Sequence, residues 1–279
     1  MRKMQICGPR QNSRSVLITK FVHAAMLVVL ALCWCKAASA QMVLYDNFDA
    51  NLINPAKWVG NPGDPHIQEE LRTLAAVPGV PKDKQLHLMQ RAYGGTTDNS
   101  GSSGGLFGLS FRNPSAITAL SFTVAVNTVK VVDCAANPGT RTSAEFRGSF
   151  FSEVASPISS NDDVGADFGI EQSLQESGPT VVGFVYDGNG NVFGFQKLGI
   201  VALKSTNTLF LQWDQPNHRF IFQLNGGTQV FEPYSVSDTS PPFYAFKDIG
   251  FARVVQDCTS TPRPYALVDA DFDNVYVNQ

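Results

Sequence analysis

The sequence lacks most of the patterns that reveal a function directly. Past residue 40 it has no sustained 3.6-residue hydrophobic period, no H-x-H or H-E-x-x-H metal spacing, no G-x-S-x-G nucleophile motif and no P-loop or dinucleotide-binding fingerprint. These absences argue against a helical bundle, a zinc site, a serine hydrolase of the α/β type and a nucleotide-dependent enzyme.

Acidic residues are missing from the first 20 positions, which carry five basic residues. The apolar run FVHAAMLVVLALCWC follows, and the small residues Ala38, Ser39 and Ala40 precede Gln41. A basic leader, an apolar run and an A-x-A site are typical of a secretory signal peptide, and the run is shorter than the about 20 residues of a membrane anchor, the alternative. We predict a signal peptide over residues 1–40, with cleavage near Ala40 and a secreted or periplasmic product.

Basic residues are scarce in the mature chain. Six of the 21 Lys and Arg residues, and none of the 24 Asp and Glu residues, lie in residues 1–40, so 15 basic residues remain against 24 acidic ones, a formal charge of −9. Nucleic acid and anionic membrane surfaces would be repelled, so we expect neither as a partner. No second apolar run of spanning length follows, so we expect no membrane span in the mature chain.

Cysteine is equally scarce. Three of the five cysteines lie in residues 1–40, which leaves Cys134 and Cys258. Two cysteines in an exported chain most simply form one disulfide, and both follow β-like runs, VNTVKVVDC and FARVVQDC. The predicted bridge joins two strand ends and closes a loop of roughly 125 residues, which stabilises the fold by about 4 to 5 kcal/mol in the chain-entropy model.

The mature chain is rich in two-residue alternation. Runs such as QLHLMQRAY, TLFLQWD and HRFIFQLN alternate apolar and polar residues between turn signals such as DGNG and NGG. This pattern predicts an all-β fold, a two-sheet antiparallel β-sandwich, as a single domain over residues 41–279. The one exception is IQEELRTLAA, residues 67–76, which predicts a short helix.

Three stretches carry a family resemblance. LYDNFDANLINPAKW (residues 44–58) resembles the opening of the concanavalin A-like lectin/glucanase superfamily, where an F-x(n)-L-x(n)-W stretch leads into a jelly roll. LVDADFDNVYV (267–277) resembles the closing strand of those domains, and TLFLQWDQPNHRFIFQLNG (208–226) resembles the middle hairpin of laminin-G-like members. The resemblance implies a jelly roll with its first and last strands side by side and a buried Trp58; it implies a fold rather than an activity.

The catalytic motifs of that superfamily are absent. Its family-16-type glycoside hydrolases carry E-x-D-x-x-E on one strand, which places two carboxylates on one face, and this spacing does not occur here. Its alginate lyases carry R-[ST]-E-[LV]-R and Q-[IV]-H strands. RTSAEFR, residues 141–147, only approximates the first, and HIQ, residues 66–68, is the second in reverse.

Strand parity nevertheless predicts one polar face. In RTSAEFRGSFF the residues Glu145 and Arg147 lie opposite the apolar side, and in DVGADFGIEQ the residues Asp167 and Glu171 do the same, interleaved with glycines. If these strands are neighbours, the four side chains form a floor that can hydrogen-bond sugar hydroxyls. The alternative is an ordinary wet sheet face, with surface charges worth under about 1 kcal/mol.

Few aromatic residues are left for stacking on a sugar. Trp213 is in phase with the apolar residues of its run, which predicts a place in the core. Tyr93, Tyr186 and Tyr234 lie at strand or loop ends and are the freer candidates.

The tail repeats aspartate at every second position: Asp269, Asp271 and Asp273 share one face of a strand, with Val268, Ala270, Phe272 and Tyr276 predicted on the core side. The three acids form a solvent-exposed face, a catalytic cluster or part of a calcium site. Lys247 or Arg253 is a candidate to neutralise their charge. Related jelly rolls often hold a structural calcium between first and last strands. The resemblance therefore implies Asp46 and Asp273 as candidate calcium ligands.

Three functions remain open on the sequence. The first is a non-catalytic carbohydrate-binding or cell-surface interaction domain, with a glycan or cell-surface component as partner and Glu145, Arg147, Asp167 and Glu171 as binding residues. The second is a glycoside hydrolase or polysaccharide lyase that uses carboxylates of the same face. The third is a structural envelope or matrix protein.

Overall fold

The computed structural model describes residues 41–60 and 67–278, so the predicted signal peptide lies outside the described residues. No helix among them is long and apolar enough to cross a membrane. The described residues also form three short 3-10 turns, at Pro114–Ala116, Ser160–Asp162 and Gln215–Asn217. The strands are β1 (Met42–Asp46), β2 (Trp58–Gly60), β3 (Ile67–Ala76), β4 (Lys84–Tyr93), β5 (Ser102–Phe111), β6 (Ala119–Val132), β7 (Arg141–Ser152), β8 (Asp163–Ser173), β9 (Thr180–Asp187), β10 (Val192–Ile200), β11 (Thr206–Asp214), β12 (Arg219–Leu224), β13 (Val230–Pro233), β14 (Lys247–Gln256) and β15 (Tyr265–Asn278).

The strands form two antiparallel sheets. The eight-stranded sheet has the order β13-β12-β11-β6-β15-β4-β3, with β1 added through β15, and the seven-stranded sheet has the order β10-β9-β8-β7-β14-β5-β2. Aromatic contacts join the two layers: Phe168 of β8 lies 5.2 Å from Phe222 of β12, and Phe251 of β14 lies 6.0 Å from Phe272 of β15, between ring centroids. The predicted all-β sandwich is confirmed.

The two ends of the described chain are neighbours in the eight-stranded sheet. Strand β1 pairs antiparallel with β15, from Met42 opposite Asn278 to Asp46 opposite Val275. Trp58 is buried, as the resemblance implied, and its Nε1 donates a hydrogen bond of 2.7 Å to Asp46. Strand β1 thus pairs with the end of β15 that extends beyond its pairing with β4.

Trp213 packs against the core, as predicted, but it brings Tyr234 with it. The indole Nε1 donates to the Tyr234 hydroxyl at 2.6 Å, and that hydroxyl donates to Asp238 at 2.6 Å. Tyr234 is therefore buried, and the interpretation of Tyr234 as a free stacking residue is wrong. Tyr93 instead packs against Tyr265 in a tilted arrangement, with ring centroids 5.5 Å apart.

The predicted helix over residues 67–76 is wrong, because this segment is strand β3. It pairs with β4 along its length, with Leu71 opposite Met89 and Thr73 opposite His87. Glu, Leu and Ala favour a helix locally, but the pairing edge of β4 offers a full ladder of backbone hydrogen bonds. Tertiary context overrides a weak local preference here.

The predicted disulfide is confirmed. Cys134 and Cys258 are bonded, with their Cα atoms 5.7 Å apart. Cys134 follows β6 of the eight-stranded sheet and Cys258 follows β14 of the seven-stranded sheet. The bridge therefore links the two layers at one end of the sandwich.

The closing strand alternates as predicted until it reaches Asn274. Asn274 has a left-handed backbone (φ 49°), and the pairing with β6 shifts by one residue between Asp273 and Tyr276. Beyond this bulge Val275 and Val277 are buried, whereas Tyr276 is 38% exposed. The prediction of Tyr276 on the core side is therefore wrong, since a bulge reverses the facing of every later side chain.

Candidate ligand-binding groove

Two adjoining cavities lie on the outer face of the seven-stranded sheet, with volumes of about 400 Å³ and about 300 Å³. They share Arg147, Tyr186 and Gly190 as lining residues, and we call the pair the groove. The larger cavity is lined mainly by Gly104, Leu106, Arg141, Ser143, Glu145, Arg147, Asp167, Glu171, Phe184, Tyr186 and Val192. The smaller cavity is lined by Ser149, Ser160, Asp163, Gly165, Asp187, Gly188, Tyr244 and Phe246 besides the shared residues.

The register of β14, β7 and β8 builds the floor of the groove. Arg147 on β7 is opposite Asp248 on one neighbour and Asp167 on the other, so an acid–base–acid row crosses three strands. The next row of the same face has Glu145 in place of the arginine. Residues directly opposite in a sheet point to the same side, so both rows face the groove.

Glycines surround Glu145 in its row. In register order the row is Gly108, Gly250, Glu145 and Gly169, across β5, β14, β7 and β8. A Cβ at Gly169 would lie 2.3 Å from the Cβ of Glu145, and one at Gly250, where φ is +151°, would lie 2.2 Å from the carbonyl oxygen of Phe107. We call these four residues the glycine row. Glu145 is the one non-glycine residue in it.

Glu145 is a buried acid with incomplete hydrogen bonding. It is 6% exposed, and Ser143 Oγ donates to its Oε2 at 2.5 Å, while its Oε1 has no hydrogen-bond partner among the described residues. Burial, and then the charge of Asp167, raises the pKa of Glu145 to about 8, against the opposing charge of Arg147. The side chain therefore holds a proton at neutral pH in the free protein.

Asp167 lies beside Glu145 but has better partners. Tyr186 donates its hydroxyl to Asp167 Oδ1 at 2.9 Å. Burial raises the pKa of Asp167, and Arg147 and the Tyr186 hydrogen bond oppose that rise. The Arg147 guanidinium lies over the Phe246 ring at 5.2 Å from its centroid, so the cation is positioned by a ring as well as by acids.

Glu171 marks the far end of the floor. It is opposite Ser143 in the register, and Arg141 Nε approaches its Oε2 at 3.8 Å. Burial raises the pKa of Glu171, and Arg141 opposes that rise. The structure thus brings all four predicted residues, Glu145, Arg147, Asp167 and Glu171, onto one face of adjacent strands; their use in ligand binding stays a prediction.

Sequence reasoning missed several groove residues. Asp248 completes the charged row from β14, and Ser143 binds Glu145. Asp248 alternates with Gly250 along β14, which is the same acid–glycine pattern that singled out β8. That signal was present, but a sequence does not show which strand lies beside β7.

The aspartates of the tail lie on the other sheet and have different partners from those predicted. Lys247 Nζ donates to the Ser149 carbonyl at 2.7 Å, and Arg253 Nη1 donates to Gln90 Oε1 at 3.3 Å, so both cations are buried away from the tail. His87 takes their place, with Nδ1 2.8 Å from Asp271 Oδ1. The interpretation of Lys247 or Arg253 as the neutralising cation is wrong.

The two candidate calcium ligands lie near one another at the junction of β1 and β15. Burial raises the pKa of Asp273 to about 6, the charges of Asp83, Asp49 and Asp46 add to the rise, and a hydrogen bond from Asn274 opposes it. No group of three or more His, Cys, Asp or Glu residues in the described ranges is arranged to hold a metal ion. Backbone carbonyls also bind calcium, so the site at Asp46 and Asp273 stays a prediction.

Neither a family profile nor a curated protein matches the chain. Among solved structures, the carbohydrate binding module CBM66 from Bacillus subtilis is 12% identical, covering 80% of this chain and 96% of that chain at a TM-score of 0.36. A β-glucanase from Bacillus licheniformis is 12% identical (88% and 100% covered, TM-score 0.39), and a laminarinase from Flavobacterium sp. UMI-01 is 11% identical (86% and 99%, TM-score 0.40). Scores of this size carry no argument about function, which rests on the groove.

Proposed function

We propose that the chain is an exported protein that binds a saccharide in the groove without cleaving it. The observation that carries the proposal is a hydrogen-bonding floor, formed by Glu145, Asp167 and Tyr186, at the base of two adjoining cavities. Cavities of a few hundred Å³ with a few polar groups among apolar walls are typical of small-molecule sites. Glu145 lines the larger cavity, whose volume of about 400 Å³ accommodates a pyranose ring.

An aromatic wall supports a sugar rather than a flat polar ligand. Tyr244 is 62% exposed and stacks on Phe246 with ring centroids 5.7 Å apart, at the rim of the smaller cavity. Asp163 accepts hydrogen bonds from the backbone nitrogens of Phe243 and Tyr244, which fixes this loop. An exposed ring held in place can pack against the apolar face of a pyranose.

Export is supported by the predicted signal peptide and by the disulfide. Disulfides persist in oxidising compartments and are rare in the cytosol. The bond between Cys134 and Cys258 is therefore what a secreted or periplasmic chain would carry. Whether the product is released or stays in an envelope compartment is a matter for fractionation of the native host.

A second candidate function is saccharide hydrolysis, and one observation favours it. Glu145 and Asp167 lie on adjacent strands in diagonal positions, which separates such side chains by about 7 to 8 Å at the backbone. Paired carboxyls about 5 to 9.5 Å apart act in glycosidases. Against this, Asp167 is held by Tyr186 and faces Arg147, so only Glu145 of the pair has an oxygen without a partner.

The test is a glycan array on residues 41–279, run beside a reducing-sugar release assay. We expect binding without release, weakened at least about tenfold by Tyr244→Ala, because stacking on the ring is lost. Tyr276→Ala is the matched control, since Tyr276 is also a partly exposed tyrosine but lies on the eight-stranded sheet. Release of sugar would assign the groove to an enzyme, and silence in both assays would favour a structural envelope or matrix protein.

A further inference from the structure

Two carboxylate oxygens at the base of the groove have no hydrogen-bond partner among the described residues. They are Glu145 Oε1 and Asp248 Oδ1, on side chains that are 6% and 8% exposed. Both residues line a small cavity of about 10 Å³ beside Gly250, and this cavity shares Glu145 and Arg147 with the larger cavity of the groove. Leaving buried carboxyl oxygens without partners is costly, so the position favours a ligand that brings donors to them. Arg147 Nε, also without a hydrogen-bond partner among the described residues, offers a donor to an acceptor of the same ligand.

The charged side chains of this face indicate whether the group that brings those donors is neutral or charged. Four acids of the floor, Glu145, Asp167, Glu171 and Asp248, face the groove with two arginines, Arg141 and Arg147. Lys247 and Arg253 belong to the same sheet but are directed into the sandwich, where they bind Ser149 and Gln90. Even with Glu145 protonated, three acids face two arginines, so the floor is acid-rich, which repels uronates and sulfated sugars and attracts a cation.

Ammonium fits these oxygens better than a hydroxyl does. A protonated amine carries three donors and no acceptor, so one group can serve both carboxylates. Hydrogen bonds from a cation to a carboxylate are shorter and stronger than those from a neutral hydroxyl. Glycine at 250 and 169 places no side chain beside Glu145 within its row, and Glu145 lines the larger cavity of the groove, from which the amine of a pyranose ring approaches it.

We infer that the saccharide of the groove carries free amines, and that the ammonium of one hexosamine unit lies between Glu145 and Asp248. This inference rests on the proposed saccharide-binding function. It names a substrate class, aminated oligosaccharides, over their neutral and acidic counterparts.

Binding of an ammonium at Glu145 should release a proton. An acidic surface that attracts cations only through its exposed carboxylates would not do so. The charged and titratable groups facing Glu145 are Arg141 and Arg147 on its own strand, Asp167 and Glu171 on β8, Tyr186 on β9, and Asp248 on β14. In the free protein Glu145 holds a proton, because burial raises its pKa. A bound ammonium replaces that proton, so binding at pH 6.5 releases up to about one proton per site.

The experiment is calorimetric titration at pH 6.5 and about 0.15 M salt with hexamers of glucosamine, N-acetylglucosamine, glucose and glucuronate. Two buffers of different ionisation enthalpy report the proton count. We expect the glucosamine hexamer to bind at least about tenfold more tightly than the neutral hexamers, with proton release. Glu145→Gln should remove both the preference and the release. Glu232→Gln is the matched control, because Glu232 is a buried glutamate on β13, where it accepts from Gln196.

The outcomes separate the two proposals. Equal or tighter binding of a neutral or acidic hexamer overturns the amine inference and leaves saccharide binding intact, whereas no binding of any hexamer overturns both. A preference that survives Glu145→Gln also overturns the inference, as does a lysine peptide of equal charge that binds more tightly than the glucosamine hexamer. Should Glu145→Gln fail to fold, Asp248→Asn replaces it: the variant should lose the preference for the glucosamine hexamer, and a preference that survives it overturns the inference.

Discussion

The outer faces of the two sheets both carry clustered acids, but these acids differ in burial and in hydrogen-bond partners. On the seven-stranded sheet Glu145 and Asp167 are buried in a groove, and burial raises the pKa of each. On the eight-stranded sheet Asp269 and Asp271 are partly exposed, and Asn127 Nδ2 donates to them at 3.1 Å and 2.7 Å. A second partner is His87, whose Nδ1 lies 2.8 Å from Asp271 Oδ1.

The difference comes from the residues between the acids. Glycine at 250 and 169 lets the Glu145 side chain lie low over its own row, where Arg147, Asp167 and Glu171 of the adjoining rows surround it. Full side chains fill the corresponding places around the tail aspartates, where His87 and Met89 of β4 stand opposite Asp271 and Asp269. An acid at the bottom of a trough is desolvated, whereas an acid level with its neighbours stays in contact with water and with partners.

The largest expected effect is on the pH dependence of stability after Glu145→Gln. Between about pH 4.5 and about pH 8 the folded state holds a proton on Glu145 that the unfolded state has lost, so the stability of the native protein falls as pH rises through this window. The variant has no such proton. We expect its free energy of unfolding, relative to the native protein, to rise by up to about 1.4 kcal/mol per pH unit, measured by urea melts.

The matched variant on the other face is Asp271→Asn. It should show no rising advantage over the same pH window, because it removes a hydrogen-bonded acid. An equal pH slope for both variants would mean that the two faces do not differ in desolvation.

The second effect concerns the glycine row. Gly169→Ala places a Cβ 2.3 Å from that of Glu145, and overpacking of this kind costs about 1 to 3 kcal/mol. Gly104→Ala on the same face is the control, since its Cβ would meet only the Arg253 carbonyl oxygen, at 3.7 Å. Thermal melts should show a loss for the first variant and little change for the second; similar melts for both would argue that the row is not tight.

A smaller loss is expected at the tail itself. Asp271→Asn removes the carboxylate nearest His87 and should cost about 1 kcal/mol, because the pair is partly exposed. Asp269, at 3.9 Å from the same nitrogen and more exposed, should tolerate the change to Asn within about 0.5 kcal/mol. Equal losses at the two positions would show that the histidine does not discriminate between them.

The smallest effect belongs to calcium, which we retain as a proposal for Asp46 and Asp273. Weak extracellular sites have dissociation constants of about 0.1 to 1 mM, so about 5 mM calcium at a 1 mM site adds about 1 kcal/mol. For a domain of this size that raises Tm by about 2 to 4 °C. Asp273→Asn should abolish this increase in Tm. Superimposable melts of the native protein with chelator and with calcium would overturn the calcium proposal.

The sequence predicted the sandwich, the disulfide and the facing of the four floor residues, because each depends on local alternation or on a count of two cysteines. It did not predict the neighbours of those residues. Asp248 is 101 positions from Arg147 and becomes its partner only through the order of strands in the sheet. Pairing between distant strands is decided by the whole fold, so the charged row could not be assembled from any one stretch.

The errors have equally local causes. The segment Ile67–Ala76 has helix-forming residues but gains more from pairing with β4. Tyr276 was placed on the core side by extending the alternation through Asn274, where a single left-handed residue reverses it. The depth of Glu145 escaped prediction for a related reason, since alternation shows which way a side chain faces and says nothing of how far its neighbours rise around it.

Strand β15 also has a consequence for the order of events during synthesis. It lies inside the eight-stranded sheet, with β6 on one side and β4 and β1 on the other, and it extends to Asn278. A nascent chain therefore cannot complete that sheet until β15 has left the ribosome. β4, β6 and β1 are synthesised earlier, yet each has to wait for residues 265–278 before its pairing with β15 can form.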